Sequence, residues 1–235
     1  MGGVVALYVL GGVASWAVEW ADIPAGQCRI GSRTVRGNPS REFRTDGFRM
    51  GRHEVTVREF CEDLSDARTD WGGDHPQIRG KAGEWRPGWR EASRPVAGIR
   101  RSDAEAYCAW LSVRLKASIR LPDPGEWEYA ARGGRSSVRF PWGWGDPAGR
   151  AVFGTRGAKP VGCHDPCGFG LYDMAGNVFE WCRGSGGGPA EARGGSWAER
   201  DVHVLEVYRP AILEPDYQDA DVGFRLLMEN DVGNH

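Results

Sequence analysis

Apolar positions recur at helical spacing in only three stretches of the chain. Phe60, Cys61 and Leu64 share one face after Thr56-Val57-Arg58-Glu59, a string in which a Thr hydroxyl and a Glu carboxylate satisfy each other's main-chain donors at a helix start. Tyr107, Cys108, Leu111 and Leu115 repeat the pattern after Ser102-Asp103-Ala104-Glu105, which predicts a second, longer helix opening at Ser102. The third stretch is Asp123-Pro124-Gly125-Glu126, with Pro at the first helical position; it runs through Trp127 and Ala130 to a stop at Gly133-Gly134. Elsewhere Gly and Pro break the apolar runs, so 69–98, 132–170 and 183–196 read as long loops with brief strands. Loops of that length in a compact domain are either functional or pinned by contacts. The pattern predicts one α+β domain over 21–235, with few helices, short strands and long loops.

Residues 1–20 stand apart as an apolar segment, uncharged from Val4 to Val18. The run is shorter and more Gly-interrupted than the roughly 20 apolar residues of a membrane span. Two β-prone runs, 4–10 and 13–20, flank Gly11-Gly12, a pair suited to a tight hairpin turn. A signal peptide is the alternative, with Ser15 and Ala17 before a cleavage point, although no basic residues precede the apolar run. A secreted or cell-surface location follows only if 1–17 acts as such a signal.

Composition narrows the class. Among 235 residues are 35 Gly and 11 Trp; typical Gly usage is roughly 7%, so Gly is about doubled. No Gly-X-Y period accompanies it, and 40% apolar residues is more than a disordered chain carries. Lys and Arg number 30 against 32 Asp and Glu, a net charge of −2, so no nucleic-acid partner is expected.

Several strings carry a more specific message. They are Asp22-Ile23-Pro24-Ala25-Gly26; Met50-Gly51-Arg52-His53-Glu54-Val55-Thr56; Arg120-Leu121-Pro122; and Glu126-Trp127-Glu128-Tyr129-Ala130-Ala131-Arg132-Gly133-Gly134. Then come Phe140-Pro141-Trp142-Gly143, Phe169-Gly170-Leu171-Tyr172-Asp173-Met174-Ala175-Gly176-Asn177-Val178-Phe179-Glu180-Trp181, Arg193-Gly194-Gly195-Ser196-Trp197 and Val222-Gly223-Phe224-Arg225. In this order, from about Trp20 to Leu227, the chain resembles the formylglycine-generating enzyme (sulfatase-modifying factor) domain, which has a C-type lectin-like fold. The resemblance implies that fold. It leaves function open, because the fold hosts both oxidases and binding domains.

The enzymes of that family hold copper with two cysteines shortly after the Arg-Gly-Gly-Ser-aromatic string, and a soft Cu(I) ion needs such thiolates. Glu199 and Val204 stand at those positions here, so neither copper nor catalysis by that route is expected. The iron-dependent members rely on a separate histidine-bearing helical domain, for which these residues leave no room. The resemblance also implies a structural Ca²⁺, held by the Asp173 side chain, the carbonyls of Gly176 and Val178 and the Glu180 carboxylate, hard oxygen donors that suit this ion. The alternative is that Asp173 and Glu180 are turn and surface charges.

Between the last two strings the chemistry is irregular inside a retained frame of Tyr208-Arg209 and Pro215-Asp216. That is similar to the variable proteins of diversity-generating retroelements, whose lectin-like surface is randomised at template adenines, typically in AAC codons. Such codons yield neither Glu nor Gln, so Glu199, Glu206, Glu214 and Gln218 count as fixed. The candidate variable, ligand-contacting positions are Ala198, Arg200, Asp201, Val202, His203, Ala211, Ile212, Leu213, Tyr217, Asp219 and Ala220. The expected function is non-catalytic binding of a protein or glycan through 198–220. Three alternatives stay open: a drifted loop whose Ile212 and Leu213 fold into the core, an oxidase with an unrecognised site, and a structural accessory domain.

Six cysteines, at 28, 61, 108, 163, 167 and 182, complete the chemistry. Cys61 and Cys108 lie on apolar helix faces, where a buried free thiol is the default. Cys163-His164-Asp165-Pro166-Cys167 allows a short disulfide; no second metal-spaced pair supports zinc. Of the tryptophans, 127, 142, 181 and 197 are expected in the core, and Trp71, Trp85 and Trp89 either pin the 69–98 loop, the commoner outcome, or add to a ligand surface.

Overall fold

A computed structural model describes residues 18–67, 75–184, 190–214 and 216–230. Nearly all of the N-terminal hairpin reading, and Trp71, fall outside these residues. In chain order the elements are β1 (Trp20–Ile23), β2 (Gly26–Ile30), β3 (Arg41–Thr45), β4 (Phe48–Gly51), α1 (Val57–Asp66), β5 (Ile78–Arg79), β6 (Arg86–Pro87) and α2 (Arg101–Leu115). There follow β7 (Ile119–Arg120), α3 (Pro124–Arg132), β8 (Phe179–Trp181), β9 (Ala190–Arg193), a 3₁₀ turn (Val202–Leu205), β10 (Ala211–Leu213), β11 (Val222–Phe224) and β12 (Leu227–Glu229). This is the expected α+β class of three helices, short strands and long connections.

The helix starts follow local hydrogen-bond chemistry. At α1 the Glu59 carboxylate accepts the Thr56 N–H at 2.7 Å and the Thr56 hydroxyl accepts the Glu59 N–H at 3.3 Å, the reciprocal cap expected from the string. At α3 Glu126 accepts the Asp123 N–H at 2.8 Å, and Gly133, at φ 59°, ends the helix in the left-handed conformation that glycine adopts at little cost. The start of α2 departs from expectation. Its N-cap is Arg100, because Asp103 reaches back to the Arg100 N–H at 2.9 Å and leaves Ser102 inside the first turn. Tyr107, Cys108 and Leu111 are buried, whereas Leu115 at the last turn is exposed.

One sheet has the order β1-β4-β12-β7 and a second the order β10-β9-β8-β11. In the second, β8 and β11 run parallel, with Phe179 opposite Val222 and Phe224 opposite Trp181. Phe60 of α1, Tyr107 of α2 and Phe224 of β11 stack and edge against one another with centroids 5.4–6.1 Å apart. Trp127 and Trp181 have no solvent exposure; burying a large apolar side chain contributes about 1.5–3 kcal/mol, so these two replace much of what longer helices would supply. Trp142 and Trp197 are half-buried, and Trp85 packs partly on the core. Trp89 corrects its expected role as a pin: it is 81% exposed, with the Arg90 guanidinium 4.1 Å above its ring.

All six thiols are free, so the short disulfide is not formed. Burial pushes Cys61 and Cys108 up to about 12, while Cys163 is exposed.

Candidate functional site

The strings that carried the resemblance converge on two buried charge nodes. In the first, Glu128 of α3 accepts from Arg132 at 2.6 Å, Arg193 of β9 at 3.3 Å, Asn38 at 2.7 Å and the Gly31 N–H at 2.7 Å. In the second, Glu180 of β8 accepts from Arg225 at 2.7 Å and from the Trp127 indole N–H at 2.7 Å. Arg225 donates as well to the carbonyls of Gly51 and Tyr172. Buried charges persist only when paired and fully hydrogen-bonded, and these nodes tie β4, β8, β11 and the 172–180 loop together.

The four positions implied for calcium lie beside the second node. Burial pushes the Asp173 carboxyl up, while the Gly162 N–H, donating at 2.6 Å, and Arg225 act in the opposite direction. Gly176 has φ 80°, and a Cβ there would stand 2.4 Å from the Val152 carbonyl oxygen, so no other residue fits this turn. A half-buried carboxylate, Asp173, and a buried one, Glu180, beside main-chain oxygens are the donor type a hard divalent cation takes, while both Glu180 oxygens already accept from Arg225 or Trp127. Glu180 is not the surface charge of the alternative reading, being 1% exposed. Among the described residues no three His, Cys, Asp or Glu side chains converge as a metal site, so any ion here leans on the carbonyls.

The 198–220 segment divides into frame and face. Leu205, Glu206 and Val207 are buried. Glu206 accepts from Arg139 at 2.8 Å, His203 at 2.9 Å and Arg209 at 3.2 Å; burial pushes its carboxyl up, but these three partners prevail and hold it below the usual range. Gln218 donates to the Gly98 carbonyl at 2.5 Å. The candidate ligand positions lie outside this frame. Ala198, Arg200, Asp201, His203, Ile212, Asp219 and Ala220 are exposed; Val202, Ala211, Leu213 and Tyr217 are half-buried. Ala211–Leu213 form the edge strand β10 beside β9. Ile212 points away from the core at 58% exposure, whereas Ala211, Leu213 and Tyr217 pack partly on it. The Trp197 indole donates to the Ala220 carbonyl at 3.4 Å and Ser196 to Asp221 at 2.6 Å, which brings the two ends of the segment side by side.

Glu199 lies at that junction, its main-chain carbonyl accepting from Gly154 at 2.7 Å. Burial, then Asp221 and Asp201, push its carboxyl up. Val204 packs partly on the core. Neither supplies a thiolate, and the chain's cysteines are at other positions. Sequence reasoning missed two elements: the Glu206 clasp, whose signal was a Glu that adenine mutagenesis cannot produce, and a cavity beside His53 and Glu54, for which there was no signal.

The fold and this geometry define a formylglycine-generating-type C-type lectin-like domain. The chain belongs to the sulfatase-modifying factor enzyme 1-like domain family, whose pattern matches residues 17–230. It is 41% identical over 128 residues to the formylglycine-generating enzyme of Thermomonospora curvata, covering 48% of this chain and 36% of that one. It is 29% identical over 216 residues to the inactive Cα-formylglycine-generating enzyme 2 of Bos taurus, covering 70% of each. The chain spans 14–36% of the length of three curated relatives it matches. Among solved structures, Treponema denticola variable protein 1 superposes with a TM-score of 0.74 at 22% identity, covering 90% of this chain and 95% of that one. The family thus includes both enzymes and inactive members.

Proposed function

We propose that this chain is a non-catalytic ligand-binding protein that presents residues 198–220 to a protein or glycan. One observation carries the reading: the eleven candidate positions are all at least partly exposed, over a frame held by buried Glu206 and by Gln218. A face built this way tolerates change, because its outward side chains contribute little to packing. The likeness of fold to a variable protein supports diversification of that face by a retroelement. Neither of two cavities in the domain, one around His53 and Glu54 and one around Cys163 and Tyr172, is lined by a 198–220 residue; an open face of aromatic, aliphatic and Arg side chains suits a macromolecule better than an enclosed substrate. Glu199 and Val204 in place of thiols support the absence of copper chemistry. Ca²⁺ on Asp173, Glu180 and the carbonyls of Gly176 and Val178 would neutralise carboxylate charge and stiffen the 172–180 loop. Among the described residues no helix is long and apolar enough to cross a membrane.

The test is a screen of protein and glycan arrays with the chain and with an Arg200→Ala/Ile212→Ala variant, both positions being exposed. Binding that the variant loses, with its melting temperature unchanged, supports the reading. Tight stoichiometric Cu(I) binding with oxygen consumption overturns it in favour of an oxidase, to which the identity with the T. curvata enzyme otherwise lends support.

A further inference from the structure

The β5–β6 hairpin and the turn that follows it form a basic tip. Residues 79–90 carry Arg79, Lys81, Arg86 and Arg90 against Glu84 alone, a net of +3 in a chain whose total is −2. Lys81 pairs with Glu84 at 3.7 Å, and Arg79 donates to the carbonyls of His75 and Ile78. Arg86 and Arg90 are exposed and, among the described residues, pair with no carboxylate. Between them Trp89 stands 81% exposed under the Arg90 guanidinium. A single exposed apolar side chain is ordinary; the backbone sets this one apart. Arg90 has φ 63°, at the third position of a turn closed by the Glu91 N–H donating to the Gly88 carbonyl at 3.2 Å. A positive φ at that position ordinarily belongs to Gly, and side chains held in the left-handed region cluster where ligands are met. The tip rests on a fixed base: Ile78 is buried, the Gly88 N–H donates to the Gln77 carbonyl at 2.7 Å, and the Gln77 amide donates to the Pro95 carbonyl at 3.0 Å.

We propose that the 79–90 tip docks on an anionic lipid bilayer, with the Trp89 indole at headgroup level and Arg86 and Arg90 on lipid phosphates. An indole is the amphipathic ring that settles at that interface, and each exposed cation brought to an anionic membrane surface strengthens binding about fivefold. Neither the cavity around His53 and Glu54 nor the one around Cys163 and Tyr172 is lined by a residue of 79–90, so an extended surface fits the tip better than an enclosed small anion. A single-stranded nucleic acid asks for several rings on which successive bases stack. Here Trp85 is half-buried and one face of Trp89 lies under Arg90, which leaves a single ring face. One ring with a few cations around it is what a bilayer requires.

The test is flotation of the full chain with vesicles of phosphatidylcholine alone and of phosphatidylcholine mixed with phosphatidylglycerol, at about 0.1 M salt. The expected result is capture by the mixed vesicles about tenfold or more stronger than by the neutral ones, weakening as salt is raised. Arg86→Ala/Arg90→Ala lowers that capture by about tenfold or more. Dibrominated phosphatidylcholine in the mixed vesicles quenches indole emission, and Trp89→Ala removes the quenching. All three side chains are exposed, so the variants melt near the wild-type temperature and a loss of capture is not a loss of fold. Absent capture, equal capture by both vesicles, or quenching unchanged by Trp89→Ala overturns the proposal. So does capture that survives Arg86→Ala/Trp89→Ala/Arg90→Ala, which assigns it to the apolar residues 1–17 or to another surface. Retention on heparin or on an oligonucleotide without vesicle capture overturns it in favour of a polyanionic polymer.

Discussion

Glu180 and Arg225 meet at 2.7 Å with side-chain exposures of 1% and 0%, and the Trp127 indole closes the same carboxylate from the third side. Arg225 follows β11 and Glu180 lies within β8, so the pair clamps the one parallel register in the second sheet. Removing one partner of a buried pair leaves the other charged and unpaired, which costs about 3–5 kcal/mol. Arg225→Met and Glu180→Gln are each expected to lose roughly that much in urea unfolding. The double replacement Glu180→Met/Arg225→Met loses less than the sum of the singles, because it strands no charge.

Frame and face are expected to respond differently to truncation. Glu206→Ala removes a buried acceptor shared by Arg139, His203 and Arg209 and costs about 2 kcal/mol, moderated because Arg209 is partly exposed. Arg200→Ala and Ile212→Ala change stability by no more than about 0.5 kcal/mol, whereas Asp201→Ala, which removes the cap accepting the His203 N–H at 3.0 Å, costs about 0.5–1 kcal/mol. Chemical denaturation of the four variants in parallel checks the contrast.

Calcium is expected to raise the melting temperature, since a ligand bound only by the folded state stabilises it by about 2.7 kcal/mol at a hundred times its dissociation constant. Asp173→Asn removes one of the two carboxylates and is expected to abolish most of the gain. Thermal melts in EDTA and in millimolar Ca²⁺ settle the point, and melts of wild type that coincide in the two buffers rule out the ion.

Asp63 on α1 gives a pH signature. It is 7% exposed, and burial, with Asp66 nearby, pushes its carboxyl from 3.8 up to about 6. The folded state therefore prefers the protonated acid: this stabilisation is fully present below pH 4 and is lost as pH rises through 6. Asp63→Asn, which cannot ionise, is expected to be more stable than wild type by on the order of 2 kcal/mol at pH 8. The advantage shrinks to nothing at pH 4. Urea titrations of both proteins at the two pH values test the sign.

The motif strings made the fold readable because their residues are the nodes that hold it: Glu128, Arg132 and Arg193 in one, Trp127, Glu180 and Arg225 in the other. Helix ends were legible wherever a side chain caps its own backbone, as at Thr56 and Asp123. The start of α2 was misread because Ser102 and Asp103 both look like caps, and only the reach of Asp103 to Arg100 distinguishes them. Trp89 was misread because whether a ring lies inward or under an Arg depends on partners distant in sequence. The eleven candidate ligand positions came from a codon argument, which no packing rule could have produced. The His53 and Glu54 cavity was invisible because its walls come from four separate parts of the chain.

The two charge nodes have a consequence for handling the protein. Bulk salt screens a charge pair sealed from water far less than charges open to solvent, which are screened within roughly 10 Å at 0.1 M salt. Raising the ionic strength therefore weakens polar contacts made through Arg200, Asp201 and Asp219 while the interior pairs hold. A ligand held on the proposed 198–220 face is expected to be released by a salt wash that leaves the domain intact.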